Sequence, residues 1–301
     1  MTTTINPADL QPNEFYRYVI GSIAPRPIAF ASTIDAAGNV NLSPFSFFNV
    51  FGYNPHTLVF SPSINRHGHK KHTLLNLEEV GEVVINVVNY AMVEQMSLTS
   101  AEFERGVNEF EKSGFTALPS ERVRPPRVAE SPATYECMVR QIIPTGASTS
   151  GNKPGAGTLV ICDVVLAHFH QNIFDTNGVI DPHKIDLIGR MGGDWYSRTS
   201  GDAAFQVARP QAGIGVDKIP HSIRNSVILS GNDLGKLGSF PVLPTADETA
   251  EFRQSGILNE LFDEAQYGCQ YLPDLLHLRA KQYLAENRVR EAWLTLLQTQ
   301  V

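Results

Sequence analysis

Short runs of hydrophobic residues, many of them β-branched or aromatic, are separated by Gly, Asn and Pro through the first part of the chain. Such punctuation is typical of strands joined by tight turns, because these residues supply the backbone angles that turns need. Gly38 lies at the centre of a hairpin turn, and Pro55 opens a later run, where its missing N–H is tolerated. The pattern predicts antiparallel β structure over residues 20–64.

The β pattern continues further along the chain. Three more runs rich in apolar and β-branched residues are predicted to be strands, at 82–89, 133–143 and 158–170. A Gly- and Ser-rich loop over residues 144–157 separates the last two. A short helix is predicted from Thr73, and residues 91–118 are predicted to be helical, as a lid or a cover for a sheet edge. Six or seven strands favour a closed or partly closed antiparallel barrel, because closure removes exposed edges.

The pattern changes near residue 203. Residues 215–240 are irregular, and three helices are predicted after them, at 247–265, 273–286 and 288–299. The last two repeat apolar residues at spacings that give each helix an apolar stripe. A length of 301 residues allows one substantial core and a second, smaller one. We therefore expect a β domain at 1–202 and an irregular and helical extension at 203–301.

Composition excludes several classes of function. The formal charge of −7 gives no overall attraction to nucleic acid or to anionic membranes. The cysteines Cys137, Cys162 and Cys269 are far apart and form no C-x-x-C pair, which argues against a disulfide framework or a zinc ribbon. The polar amino end does not resemble a signal peptide, and no apolar run reaches the roughly 18 residues of a membrane span. We expect a cytoplasmic protein with no nucleic-acid or membrane partner.

One short segment concentrates positive charge. Residues 65–73 contain Arg66, Lys70 and Lys71 just before the helix predicted from Thr73. A helix N-terminus favours anions, and Arg, Lys and a Thr hydroxyl together suit a phosphate monoester. Two alternatives stay open at this point, a solvated basic loop and a transition-metal site.

The metal alternative would use three histidines of the same segment, His67, His69 and His72, which have H-x-H-x-x-H spacing. The neighbouring lysines and the absence of a carboxylate or thiolate from the segment make that reading the weaker one. The rest of the chain shows no P-loop, no nucleophile elbow and no recognisable catalytic triad. The sequence predicts no metal ligand and no general acid or base.

Several separated motifs resemble one known family. They are RPIAF at 26–30, NLSPFSFFN at 41–49, KHT at 71–73, EVVINVVN at 82–89 and LIGRMGGDWYSR at 187–198. In this order they resemble the flavin reductase-like proteins, which have an FMN-binding split β-barrel, and the resemblance covers about residues 12–200. It implies a mainly β fold, an antiparallel split barrel of Greek-key type, to which this chain adds its helical C-terminal extension.

The resemblance implies a set of cofactor-binding residues. The segment whose backbone and small polar groups line the isoalloxazine ring corresponds to Asn41, Ser43, Phe45 and Ser46. The positions that hold the ribityl phosphate correspond to Ser61, Arg66, Lys71 and Thr73. Tyr196 matches a position near the flavin or the partner subunit. His72 stands where the family commonly has Asp, and Phe47 and Phe48 are expected to pack in the core.

The resemblance also implies a function. It predicts an FMN-dependent oxidoreductase, in the first instance a flavin reductase that transfers hydride from NADH or NADPH to flavin and supplies a separate monooxygenase. The cofactor carries this chemistry, so a missing catalytic dyad is expected. FMN is favoured over FAD because the basic segment suits a terminal phosphate, and the resemblance implies a homodimer. The alternatives are tightly bound FMN acting on a specific organic substrate and a non-catalytic flavin-binding or sensing protein.

Overall fold

The computed structural model describes residues 1–62, 69–147, 154–210, 212–268 and 270–299. Its chain forms two compact units, Met1–Phe205 and Gln206–Val301. Among the described residues no helix is both long and apolar enough to cross a membrane.

The first unit contains all the strands of the described residues. They are β1 (Ala29–Ile34), β2 (Val40–Phe45), β3 (Phe48–Tyr53), β4 (His56–Phe60), β5 (Glu82–Asn86), β6 (Ala117–Leu118), β7 (Arg127–Val128), β8 (Ala133–Ala147), β9 (Pro154–Phe169), β10 (Ile188–Arg190) and β11 (Tyr196–Arg198). Its helices are α1 (Pro12–Ser22), α2 (His72–Val80), α3 (Val93–Leu98), α4 (Glu109–Ser113) and α5 (Pro182–Ile185). Short 3₁₀ turns lie at Pro7–Asp9, Tyr90–Met92, Gln171–Ile173 and Gly201–Ala203.

Seven strands form one antiparallel sheet in the order β2-β1-β5-β8-β9-β4-β3. The two outer strands, β2 and β3, are consecutive in the chain and are joined only by Ser46 and Phe47. Two residues span at most about 7–11 Å, so the sheet must curl until its edges lie side by side. The Ser61 N–H donates to the Phe47 carbonyl at 2.9 Å, which extends the β3–β4 pairing into this connection. The result is the predicted antiparallel split barrel.

The two faces of the sheet build two cores. The barrel interior holds apolar side chains from β1, β4, β5, β8 and β9 together with Leu74 and Leu77 of α2. The opposite face carries Phe30 and Leu42, which pack against residues of α3 and α4, including Met96 and Phe110. Successive residues of β1 and β2 alternate between these cores, as the two-residue period of a strand requires. Helix α2 is thereby fixed against the barrel interior.

The predictions for two segments need correction. Residues 91–118 are not one helical region, since only α3 and α4 are α-helical and residues 117–118 form β6. The Gly- and Ser-rich loop is also shorter than predicted, because β8 continues to Ala147 and β9 begins at Pro154. Backbone pairing between long neighbouring strands does not require apolar side chains, so composition alone ended β8 too early and began β9 too late.

Helix α1 was missed altogether. It begins with Pro12, and its N-terminus has a capping box in which the Glu14 carboxylate accepts a hydrogen bond from the Gln11 backbone N–H. Buried Arg26 binds its other end, since Nη1 donates to the carbonyls of Ile20 and Ile23 at 2.7 and 2.6 Å. Burial lowers the pKa of this guanidinium, and its carbonyl partners contribute partial negative charge at the helix C-terminus.

The second unit is helical. It contains a 3₁₀ turn at Val216–Lys218, then α6 (His221–Arg224), α7 (Gly231–Gly238), α8 (Ala246–Gln254), α9 (Asn259–Tyr267), α10 (Leu272–Ala285) and α11 (Val289–Leu296), and a final turn at Leu297–Thr299. Fully buried Trp293 centres its core and donates from Nε1 to the Leu237 carbonyl at 3.1 Å. The single helix predicted at 247–265 is in fact α8 and α9, because Gly256 adopts a φ of 78° that interrupts the helix.

Candidate functional site

Strand β2 presents a free backbone edge. The Leu42 N–H donates to Glu109 Oε2 at 3.0 Å and therefore points away from β1. Backbone groups alternate direction along an antiparallel strand, so Pro44 also faces the free edge. Its missing N–H costs no ladder bond there, which explains a proline within this strand. The free edge leaves the Pro44 carbonyl available to a ligand.

A basic cavity lies between β2, the start of α2 and the segment that follows α3. Its described lining residues are Asn41, Ser43, Lys70, Lys71, His72, Thr73, Thr99, Ala101, Glu102, Phe103 and Glu109. Residues distant in the chain meet here because α2 is fixed to the barrel interior while α4 packs on the opposite face of β2. The cavity thus combines a helix N-terminus, two lysines and a buried carboxylate.

The N-terminus of α2 is suited to an anion. Lys71 is the N-cap residue, and its side chain does not cap the first turn. Lys70 is held by Glu78, with Nζ 2.7 Å from each carboxylate oxygen. Within the described part of the chain, Lys71 has no such carboxylate partner. Its charge adds to the positive end of the helix dipole, the usual setting for a phosphate group.

Three buried side chains connect the walls of the basic cavity. Asn41 Oδ1 accepts from the Thr73 hydroxyl at 2.6 Å, and Asn41 Nδ2 donates to Glu109 Oε1 at 2.8 Å. Burial raises the pKa of Glu109, although the bonds from Leu42 and Asn41 oppose this shift. The network fixes the Asn41 amide and ties β2 to α2 and α4.

His72 lines the same cavity. Burial lowers the pKa of His72, and the nearby charges of Arg105 and Lys71 lower it further. The neutral imidazole is therefore favoured, so this position contributes no positive charge. In place of the family's usual Asp, the nearest buried carboxylate of the cavity belongs to Glu109.

A second cavity, the Arg190 cleft, lies between α3 and the β10–β11 hairpin and continues to β2. The part beside β2 is lined by Ile28, Pro44, Ser46, Met96, Ser97, Ser100, Arg190, Asp194 and Tyr196. The outer part shares Ser97, Arg190, Asp194 and Tyr196 and adds Tyr90, Val93, Glu94, Ile188, Ser197 and Arg198. Strand β2 thus runs from the basic cavity, at Ser43, to the Arg190 cleft, at Pro44, and Ser46 lines the cleft just after the strand ends.

The predicted cofactor residues fall into three groups. Asn41, Ser43, Lys71 and Thr73 line the basic cavity, and Ser46 and Tyr196 line the Arg190 cleft. Ser61 is buried just after β4, and its N–H donates to the Phe47 carbonyl. Arg66 lies outside the described residues, as does His67 of the alternative metal site. The described residues contain no group of three or more His, Cys, Asp or Glu side chains placed to bind a metal.

Two phenylalanines differ from expectation. The Phe45 side chain is buried in the barrel interior, with its ring 5.8 Å from that of Phe60, so only its backbone could face a ligand. Phe47 was expected in the core but is 39% exposed, and it contacts the ring of Tyr16 edge-on. The reason is its place in the two-residue seam connection, where the strand alternation that buries Phe45 is interrupted.

Sequence reasoning also missed two residues of the site. Glu109 lies 68 positions from Asn41, and nothing in either local sequence indicates their contact. Arg190 belongs to the GRMGG motif, but the motif did not indicate that its side chain lines a cleft beside β2. The one signal in the sequence was the position of the Arg190 cation beside the glycines of this motif.

A second buried carboxylate, Glu136, is structural. It accepts from the backbone N–H groups of Glu121, Arg122 and Val123 and from His168 Nε2 at 2.7 Å. Burial alone would raise the pKa of Glu136, but these hydrogen bonds outweigh it and the pKa is lowered. Glu136 fixes a loop to the barrel and lies outside both cavities.

The residues present fit an FMN-like ligand. An uncapped helix start with Lys71 and Thr73 matches a phosphate, and the free edge of β2 offers backbone and hydroxyl groups to the polar rim of a ring. Ser43, Pro44 and Ser46 are small enough to let a planar group approach the backbone closely.

Comparisons with known proteins show the family and the fold. A family model described as "Flavin reductase like domain" matches residues 21–182. An uncharacterized protein of Halalkalibacterium halodurans is 36% identical over 206 residues, 68% of this chain and 96% of that protein. The structure of nitrilotriacetate monooxygenase component B from Bacillus cereus is similar, with a TM-score of 0.64, 28% identity, and 69% of this chain and 99% of that chain covered. The 2-nitrobenzoate 2-nitroreductase of Pseudomonas fluorescens has a TM-score of 0.59 and 28% identity, with 68% and 96% covered.

Proposed function

Because the chain belongs to the flavin reductase-like family, we propose that this flavin-related oxidoreductase uses FMN and transfers hydride from NADH or NADPH to flavin. The observation that carries the proposal is the course of β2, whose free edge leads from a basic cavity to an open cleft. A phosphate-bearing cofactor lying along this edge would expose its ring to a second ligand in the cleft.

In this proposal each part of FMN has its own residues. Lys71, Thr73 and Arg66 bind the phosphate, at and just before the start of α2. Ser43, Ser46 and the backbone of β2 contact the ring. FMN is preferred over FAD because the basic cavity favours a terminal phosphate, for which Lys71 is the cation without a described carboxylate partner.

The roles of the protein are binding and orientation. Flavin supplies the hydride-accepting chemistry when it is bound. The Asn41–Thr73–Glu109 network holds the cavity walls in place. Because the Thr73 hydroxyl already donates to Asn41, Thr73 would bind the phosphate through its backbone N–H in the first turn of α2. Neither cavity requires a general acid or base from the chain for this reaction.

The relatives indicate two physiological settings. One similar structure is a component B of a monooxygenase, which supports a role in supplying reduced flavin to a separate monooxygenase. Another is a nitroreductase that acts on 2-nitrobenzoate. It supports the second candidate, in which FMN stays bound and an organic substrate enters the Arg190 cleft. Both relatives are covered almost fully by about two-thirds of this chain, which supports the proposal that unit Gln206–Val301 is an addition to the family domain.

An anaerobic visible spectrum separates these candidates. We expect the purified protein, loaded with FMN, to lose its flavin absorbance after addition of NADH or NADPH. The donor that bleaches faster is then the preferred one. Bleaching only by a chemical reductant, followed by reoxidation with an organic acceptor, would favour the second candidate. A protein that does not retain or bind FMN would contradict both.

We further propose a homodimer that uses β3. This edge strand exposes Val50, Phe51 and Tyr53, by 61%, 71% and 87%. An exposed apolar strand edge is prone to association, and natural proteins commonly cover it. Phe51 and Tyr53 are the most exposed of the three, and β3 lies at the seam next to the free edge of β2.

Negative charge on the exposed side chains of β3 should break the dimer. We expect Phe51→Glu combined with Tyr53→Glu to convert the dimer to a monomer at micromolar concentration, measured by light scattering after size-exclusion chromatography. Val179→Glu is the control, because Val179 is also 61% exposed but lies in a turn away from β3. A double variant that stays dimeric would place the interface elsewhere.

A further inference from the structure

The outer part of the Arg190 cleft has no role in binding FMN as proposed above. It is a cavity of about 390 Å³, within the size range of small-molecule sites. One wall is α3 and the other is the β10–β11 hairpin. Through Arg190 and Tyr196 it is continuous with the part of the cleft beside Pro44 and Ser46.

The Arg190 side chain is positioned to bind an anionic ligand. Its guanidinium carbon lies 4.6 Å from the centre of the Tyr196 ring, which holds the planar fork in place. Nη2 donates to the Gly193 carbonyl, while Nε and Nη1 have no acceptor among the described residues. The nearest carboxylate, Asp194, is 3.7 Å away and fully exposed to solvent. A ligand carboxylate could replace this weak pair with bonds to the fork.

The other arginine of the cleft is already satisfied. Arg198 makes two hydrogen bonds of 2.7 Å to the Asp186 carboxylate and stacks 4.0 Å from the centre of the Tyr90 ring. Its charge is therefore compensated, and it serves as a rigid wall. The acids at the rim, Glu94 and Asp194, are exposed, where solvent screens their repulsion of an anion.

The remaining lining favours a ring. Partly buried Val93 supplies apolar surface from α3, and buried Ile188 and the Tyr196 ring supply it from the hairpin. These three residues share the side of the hairpin on which Arg190 lies, whereas Ser197 points to the other side, toward Gly189. Together these groups suit a flat apolar body that carries one negative charge.

We propose that the Arg190 cleft binds a small planar aromatic carboxylate, with the carboxylate on Arg190 and the ring against Val93 and Tyr196. The role of this ligand as second substrate rests on the proposed function, since it would lie beside the ring edge of the flavin. Binding itself depends only on the cleft and is tested with and without FMN.

Calorimetric titration with three probes of one shape tests the charge requirement. Benzoate should bind the full-length protein at least about tenfold more tightly than benzamide, and benzylamine should bind most weakly, because a bond between two charged groups is stronger than a neutral one. Equal affinity for benzoate and benzamide, or no binding of benzoate at millimolar concentration, would overturn the proposal.

Variants test the residue. Arg190→Gln should weaken benzoate by about tenfold or more and change benzamide little, and Arg190→Lys should restore part of the loss, because it keeps the charge without the planar fork. Arg122→Gln is the matched control, since Arg122 is exposed in the loop fixed by Glu136. Equal loss of both ligands in Arg190→Gln would contradict a charge-specific role.

The two proposals can fail separately. FMN affinity is measured on the same preparations by quenching of flavin fluorescence. Benzoate binding without FMN binding would uphold the cleft and refute the flavin assignment. FMN binding with no preference for benzoate over benzamide would uphold the flavin assignment and refute the cleft.

Discussion

Replacing Lys71 with Gln should weaken FMN binding about tenfold or more while leaving riboflavin binding nearly unchanged. The two ligands differ only in the phosphate, so their ratio isolates the contact assigned to Lys71. A hydrogen bond to a charged group contributes about 1.5–3 kcal/mol, which corresponds to roughly 10–150-fold in affinity. Flavin fluorescence titration at fixed salt concentration measures both affinities.

Lys70 provides the matched control for this result. It is adjacent in sequence and lines the same cavity, but its charge is already paired with Glu78. Lys70→Gln should therefore change the FMN affinity much less than Lys71→Gln. Equal losses of FMN affinity in the two variants would mean that the basic segment attracts the phosphate only through its overall charge. Equal losses of FMN and riboflavin affinity in Lys71→Gln would place the phosphate elsewhere.

The antiparallel core could be predicted from sequence because its signals are local. The turn around Gly38 and the alternation in β1 and β2 determine a hairpin without knowledge of the rest of the chain. Helix α1 was harder to predict, since it buries no residue completely and follows directly on the polar amino end. Its signals were Pro12 and the capping pair Gln11 and Glu14, which lie in a polar segment.

The site could be predicted only in part, for a physical reason. The resemblance supplied Asn41, Ser43, Lys71 and Thr73, and the fold brings them to one cavity because Leu74 and Leu77 fix α2 in the barrel interior. Glu109, which orients Asn41, comes from α4, and Arg190 of the second cavity comes from the β10–β11 hairpin. Their positions depend on packing between distant segments, which no local pattern records.

The buried carboxylate of α4 illustrates this dependence and gives the second large effect. Glu109→Ala should lower the free energy of unfolding of the first unit by about 2–4 kcal/mol, because the Asn41 amide and the Leu42 N–H lose their acceptor in a buried site. Urea denaturation measures the change, with the unfolding of the strands monitored by far-ultraviolet circular dichroism. Glu111→Ala, an exposed change in the same helix, is the control and should have little effect.

The pH dependence of stability provides an independent check on Glu109. Burial raises its pKa in the folded protein, so the folded state retains a proton at pH values where the unfolded chain has released it. The free energy of unfolding should therefore fall as pH rises from the usual Glu pKa through the raised value. Glu109→Gln, which cannot ionise, should lack this decline while keeping one acceptor for the Asn41 amide. An identical pH profile in this variant would mean that Glu109 is ionised at no cost, stabilised fully by its two donors.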